Sequence, residues 1–348
     1  MIWYGLLFVL MVFAIFRMWR GQRYGESAPA RRDAAFDPAE GHPQVRDALD
    51  MLKSGAWPQL TLLYGNLPAS DRYHLVQGLG ETVGNAPIAW PEEADSAILT
   101  IRAGLNVARV RKALSGGATG RAQARTMFAT MMRDLEQAQS LLTEAAARNP
   151  HDSVTFAIQI QIETYANGGE HDVNAMIGKV DATEENNIFV AANHLQYMTP
   201  KWHGSIERMW RVANDYASNE PNAAWLAIAA RAHIEEWLYC MKIDTSLTAG
   251  YVAQLQDSGF ANHVRGMDRQ FWERAARGGM TRAEAHFAHN QFAFLLQMLR
   301  LDDLIGRHLD AIGPFIANQP WNYLPAGAER PTQLLAELRR KAGLPTLT

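Results

Sequence analysis

A repeating apolar spacing of three and four residues constrains this chain more than any other feature of its sequence. In the segment 121–147, six apolar residues follow that spacing: Phe128, Met131, Leu135, Ala138, Leu142 and Ala145. Side chains spaced in this way lie on one face of an α-helix, so the segment predicts an amphipathic helix. We find no sustained alternation of apolar and polar residues of the kind that predicts strands. The sequence therefore predicts an all-α fold.

The ends of this helix indicate how helices follow one another. Asn149 and Pro150 should end it, because the residue before a proline is driven out of the helical region. Asp152 and Ser153 then offer capping side chains to the next helix. A helix, a short turn and a capped helix form the unit of a tetratricopeptide-like helical-repeat superhelix, which we expect here. Further helices are predicted over 187–198, 205–216, 222–241, 264–277, 281–300, 302–312 and 331–341.

The N-terminus has a different character. Residues 1–16 contain no charged side chain, and Arg17, Arg20 and Arg23 follow them directly. This pattern predicts a single-pass transmembrane anchor over 1–19, a flexible tether over 20–42 and a helical-repeat domain over 43–348. The positive-inside rule places the N-terminus outside and the domain in the cytoplasm. A cleaved signal peptide, although it would lack a basic n-region, and a buried apolar helix remain as alternatives.

Composition excludes several other classes of protein. The formal net charge is −3, which does not favour a nucleic-acid surface. A single cysteine, Cys240, rules out an intramolecular disulfide and is typical of a reducing compartment. The glycine-rich stretch 116–120 lacks the Gly-Lys-Ser/Thr ending of a phosphate-binding loop and follows a helix instead of a strand. We predict no cofactor.

Residues 198–209 read MTPKWHGSIERM. This stretch resembles the signature of a bacterial protein family known only as a domain of unknown function, in which a Pro-Lys-Trp-Gly-Gly-Ser-like turn precedes a helix. His203 stands where that family usually has its first glycine. The resemblance extends over about residues 45–325. It implies a tetratricopeptide-like fold, and it implies no activity.

We expect this motif to contact a partner. Pro200, Gly204 and Ser205 have structural explanations as helix stop, tight turn and helix cap. The predicted partner-binding residues are Lys201, Trp202, His203, Trp210 and Arg211. The predicted function is a scaffold or adaptor at the bacterial inner membrane that binds a protein or peptide on its concave face. An immunity or accessory factor of a toxin or secretion system is the alternative within the same class.

Two histidine patterns suggest chemistry, but both also have structural explanations. His286 and His289 share a helix face and could form half of a metal site, which would make the chain a metal-dependent enzyme. The position of a third ligand, seven residues on from the first histidine, is occupied by Ala293, so interhelical histidines are the default. His233 is expected to be partly buried beside a solvated pair of Glu235 and Arg231. The sequence predicts no catalytic residue and no metal ligand.

Overall fold

A computed structural model describes residues 39–84, 86–117, 120–166, 169–183, 185–218, 222–315, 317–323 and 331–345. Helices and their connecting loops account for these ranges, which contain no β-strand. The predicted all-α class is thus confirmed. None of the helices in these ranges is both long and apolar enough to cross a membrane. The predicted anchor over 1–19, and the tether up to residue 38, lie outside the described residues.

The described part of the chain divides into two compact units. The N-terminal unit comprises residues 42–197, and the C-terminal unit comprises residues 198–345 together with 39–41. The boundary falls between Tyr197 and Met198, so the helices predicted over 187–198 and 205–216 belong to different units.

In the N-terminal unit, each described helix packs mainly on helices that are close to it in the sequence. The helices are α1 (Pro43–Ser54), α2 (Trp57–Gly65), α3 (Ala69–Val83), α4 (Ser96–Gly116), α5 (Arg121–Arg148), α6 (Ser153–Ala166), α7 (Glu170–Asp181) and α8 (Ile188–Tyr197).

Helix α5 confirms the prediction over 121–147. Its residues Leu135, Leu142 and Ala145 are buried, as the apolar spacing requires. The predicted cap is also present, since Asp152 Oδ1 accepts a hydrogen bond from the Val154 N–H at 3.1 Å. The unpaired N–H groups at the start of a helix explain why an aspartate is favoured there.

The C-terminal unit is built around α13, whose side chains are buried on most of its faces. Thr281 and Glu284 begin this helix with a reciprocal capping box. It packs against α10 and α14. The helices are α9 (Ile206–Ser218), α10 (Leu226–Leu238), α11 (Thr248–Gln256), α12 (Ser258–Ala275), α13 (Arg282–Met298), α14 (Asp302–Ile312), α15 (Asn318–Trp321) and α16 (Pro331–Lys341).

The helix predicted over 222–241 is divided into three parts. It begins as a 3₁₀ turn over Ala223–Trp225, continues as α10 and ends in a π-helical turn over Tyr239–Ile243. The Asn222 side chain accepts a hydrogen bond from the Ala224 N–H at 2.9 Å and caps the first turn. At the far end, the Asp244 N–H donates to the Tyr239 carbonyl five residues back. Apolar spacing alone cannot distinguish these hydrogen-bond patterns from a continuous α-helix.

Helices α3 and α4 approach closely because glycines lie where they pack together. A Cβ atom on Gly104 would lie 2.1 Å from Val76 Cγ1, and one on Gly80 would lie 2.4 Å from Ala108 Cβ. Val76 is fully buried, so it has little room to move away.

We expect Gly104→Ala to lower the free energy of unfolding by about 1–3 kcal/mol, because the added methyl group overpacks the interface. The matched control is Gly178→Ala in α7, where no atom lies within 4 Å of the added Cβ. This control should raise the same free energy by up to about 1 kcal/mol, through helix propensity. Urea unfolding followed by circular dichroism measures both. Equal effects of the two substitutions would contradict the close packing of α3 and α4.

Candidate functional site

The 199–205 turn that carries the sequence motif is held by its own backbone. The Trp202 and Gly204 N–H groups both donate to the Thr199 carbonyl, at 3.0 and 3.2 Å. A Cβ atom on Gly204 would lie 1.9 Å from the Met198 carbonyl oxygen, so the turn requires glycine here. Ser205 Oγ accepts a hydrogen bond from the Arg208 N–H at 3.1 Å and caps α9. The structural roles predicted for Gly204 and Ser205 are therefore confirmed.

Lys201 points from this turn towards α10. Its Nζ donates to Glu235 Oε2 at 2.5 Å, and the two side chains are 15% and 1% exposed. Glu235 Oε1 accepts a second hydrogen bond from the Tyr323 hydroxyl at 3.1 Å. The Lys201 ammonium also lies 5.4 Å from the centre of the Tyr323 ring. Burial lowers the pKa of Lys201, and the Glu235 carboxylate opposes part of that shift.

Trp210 on α9 makes a similar contact with Glu236, the residue of α10 that follows Glu235. Its indole Nε1–H donates to Glu236 Oε2 at 2.9 Å. Burial raises the pKa of Glu236, while this hydrogen bond lowers it in part. Two neighbouring carboxylates of α10 thus hold the turn and helix α9. Glu235 and Glu236 are adjacent in the sequence, but their partners, Lys201 and Trp210, are nine residues apart.

His233 lies in an aromatic pocket beside this pair of contacts. Its ring packs edge-on against Trp210, with the ring centres 4.5 Å apart, and against Phe260 at 5.1 Å. The residues that the structure describes offer no hydrogen-bond partner to either nitrogen of this ring. Burial, with a smaller contribution from His263, lowers the pKa of His233 to about 3. At neutral pH the ring is uncharged.

The five predicted partner-binding residues differ in their exposure. Lys201 and Trp210 are directed at α10, whereas the Arg211 side chain is 66% exposed and pairs with Glu207 at 3.2 Å along α9. Trp202 and His203 are half-buried, with their ring centres 6.5 Å apart.

The expectation that Glu235 forms a solvated ion pair is wrong, because its carboxylate is buried against Lys201. His233, which was predicted to be partly buried, is buried. Sequence reasoning missed the roles of Glu235, Glu236 and Tyr323 at this site. Helical spacing places a glutamate on one face or another, but it gives no sign of which distant residue covers that face.

The histidines of the possible metal half-site have separate partners. His286 Nδ1 lies 2.7 Å from Glu40 Oε2, and its Nε2 lies 2.7 Å from the Phe315 carbonyl oxygen. Both partners are hydrogen-bond acceptors, which favours a His286 ring that is protonated on both nitrogens. Burial lowers the pKa of His286, but Glu40 and the Phe315 carbonyl outweigh burial, so the pKa is raised.

His289 faces a second histidine. Its Nδ1 lies 2.9 Å from His308 Nδ1, and His308 Nε2 lies 2.8 Å from Asp268 Oδ1. Burial and the neighbouring His308 lower the pKa of His289 to about 3. His286 and His289 therefore do not converge on one point. Across the described parts of the chain, no group of three or more His, Cys, Asp or Glu side chains is arranged to hold a metal ion.

Comparisons with protein-family models, with curated proteins and with solved structures give no match to this chain.

Lys201→Met should lower the free energy of unfolding by about 3–5 kcal/mol, because it leaves the buried Glu235 carboxylate without its cation. The double substitution Lys201→Met with Glu235→Gln should recover most of this loss, since a neutral amide can still accept from Tyr323. Arg211→Ala, at an exposed ion pair, is the control and should change the free energy by less than about 1 kcal/mol. Urea unfolding of the four proteins tests this. A loss for Lys201→Met as small as that for Arg211→Ala would refute the buried pair.

His233 should make the protein less stable as the pH falls. Its pKa of about 3 in the folded chain lies below the usual value of 6.5, so below pH 6.5 the unfolded chain binds the proton more strongly. Each pH unit between 6.5 and 3 then costs about 1.4 kcal/mol. His233→Phe should remove this term, so its advantage over the wild type should grow by about 2 kcal/mol from pH 7 to pH 5.

Arg211→Ala is the control for the His233 substitution. It changes an exposed side chain of α9 and leaves the histidine and its aromatic pocket intact, so it should retain the pH dependence of the wild type. Unfolding free energies measured in urea at pH 5, 6 and 7 test whether His233 causes this pH dependence. A constant difference between His233→Phe and the wild type across these pH values would contradict the shifted pKa.

Proposed function

We propose that this chain is a membrane-anchored helical scaffold or adaptor that binds a protein or peptide partner. The support from the fold is the N-terminal unit, in which each described helix packs mainly on helices close to it in the sequence. Repeat proteins such as the tetratricopeptide class are assembled in this way, and they commonly bind peptides or proteins along their helices. A tetratricopeptide-like repeat is thus our proposal for the finer class of the fold.

The main support for the proposal is that contacts with α10 fix the position of α9. Glu235 and Glu236 engage Lys201 and Trp210 from the side of α10, which fixes both the turn and the helix. The Arg211 side chain on α9 is left exposed. A surface that is already rigid loses little conformational entropy when a partner docks on it. In this proposal Lys201 and Trp210 support the surface, and Trp202, His203 and Arg211 contact the partner.

The membrane part of the proposal rests on the sequence alone. The uncharged run over 1–16 and the arginines that follow it are typical of an anchor with the N-terminus outside and the remaining chain in the cytoplasm of a bacterium. An anchor would raise the local concentration of the binding surface near membrane partners. A soluble partner that the chain inhibits with tight one-to-one binding would instead indicate an immunity or accessory factor.

Site-specific photo-crosslinking in native membranes tests the proposal. A benzophenone amino acid at position 211 of the full-length chain should crosslink one protein in near-stoichiometric yield. The control position is Arg340, an exposed residue of α16. Removal of residues 1–19 should abolish the crosslink, because the chain then leaves the membrane.

The possible results separate the functional classes. Identical crosslinks from positions 211 and 340, or none from either, would contradict an adaptor surface on α9. A crosslink that survives removal of residues 1–19 would contradict the role of the anchor. A metal-dependent enzyme using His286 and His289 would contain about one equivalent of metal per purified chain, which elemental analysis measures.

A further inference from the structure

The surface of the N-terminal unit carries a depression of about 470 Å³ between α2, the start of α4 and the loop that precedes α4. It is lined by Trp57, Pro58, Thr61, Leu62, Pro91, Glu93, Asp95 and Ile98. Leu62 is 66% exposed, which is unusual for a large aliphatic side chain in the described part of this protein. Ligand sites are concave and combine apolar side chains with a small number of polar groups.

The walls of this depression are held in place by contacts within the unit. Trp57 stacks on Trp90, with their ring centres 5.6 Å apart and an angle of 28° between the planes. Thr61 Oγ1 donates to Asp95 Oδ2 at 2.5 Å, which joins α2 to the start of α4. The other carboxylate oxygen, Asp95 Oδ1, accepts from the Ile98 N–H at 2.9 Å and caps α4. The shape therefore exists before any ligand arrives.

The charged side chains that line the depression are negative. Two carboxylates, Glu93 and Asp95, line the depression, and no basic side chain does. Glu92 and Glu93 are exposed, and neither pairs with a cation among the residues described.

Two basic groups that contact the loop before α4 are already engaged within the protein. The Arg102 guanidinium lies over the Trp90 ring, 5.6 Å from its centre. Arg148 donates to the Ala94 carbonyl at 2.7 Å and to Glu144 at 2.5 Å. A ligand that meets this surface therefore finds apolar walls beside carboxylates that lack a counter-charge.

We infer that the depression binds an extended peptide segment in which a proline or another apolar side chain lies next to a lysine or arginine. Flat indole and proline surfaces accommodate proline rings, and a proline-rich segment loses little entropy because it is already extended. The basic side chain would pair with Glu93 or Glu92. The inference rests on the proposed binding function and adds to it the chemistry of a ligand and its place in the N-terminal unit.

A positional-scanning peptide library tests this inference on the purified full-length chain in detergent. The probe is a set of fluorescent, end-capped hexapeptides, each with one fixed residue and five random ones. Pools with a fixed lysine or arginine, and pools with a fixed proline or leucine, should be retained more strongly than pools with a fixed glutamate. The double substitution Glu92→Lys with Glu93→Lys should reverse the preference for basic over acidic pools.

The apolar half of the site has its own matched pair of variants. Leu62→Asn should weaken retention of the preferred pools by about tenfold, since it removes one apolar contact with the ligand without adding charge. Leu247→Asn is the control, because Leu247 is also a large exposed hydrophobic residue, 39% exposed, but belongs to the C-terminal unit. It should leave retention unchanged. Because all four substituted residues are exposed, the variants should unfold at the wild-type urea concentration.

Three results would overturn the inference: retention without any residue preference, a preference for acidic pools, or equal effects of Leu62→Asn and Leu247→Asn. Failure here is distinct from failure of the adaptor proposal. If the library shows no selection while position 211 crosslinks one membrane partner, only the depression is excluded as a peptide site. If the library selects basic peptides while position 211 crosslinks nothing, the surface on α9 is excluded and the depression remains.

Discussion

The cost of burying charge governs the C-terminal unit. Glu235 is almost fully enclosed, and an unpaired carboxylate in that position would cost several kcal/mol. Lys201 supplies a cation and Tyr323 supplies a hydroxyl donor, so each carboxylate oxygen has a partner. These two residues lie far apart in the sequence of the unit, one in the 199–205 turn and the other just after α15. The buried Glu235 carboxylate needs a cation and a hydrogen-bond donor. Its contacts therefore connect the turn, α10 and the chain near residue 323.

Two buried histidines have pKa values that their surroundings shift in opposite directions. His286 is buried between a carboxylate and a backbone carbonyl, both hydrogen-bond acceptors, and its pKa is raised. His233 is buried among aromatic rings, and its pKa is lowered to about 3. The protein thus raises the pKa of one buried histidine and lowers that of another within the same unit. Proton binding then contributes to stability with different signs at the two positions.

Much of the fold could be predicted because it depends on local interactions. The buried stripe of α5 follows from apolar spacing, and the cap at Asp152 follows from the unpaired N–H groups of a helix start. The helices predicted over 302–312 and 331–341 begin and end where the structure has them. The candidate site was only partly predictable. Lys201 and Trp210 were identified as residues of interest, but their burial depends on glutamates of α10 that lie about 25 or more positions away in the sequence.

The sequence by itself determined the all-α class, the main helices and the tight turn at Gly204, because spacing, capping and backbone conformation act over only a few residues. Tertiary structure decided which side chains of the turn face inward, which partner each histidine has and where the chain divides into two units. It also formed the depression beside Leu62, by stacking Trp57 on a tryptophan from the loop before α4. Such contacts join positions far apart in the chain, so they arise only when helices pack, and no local pattern encodes them.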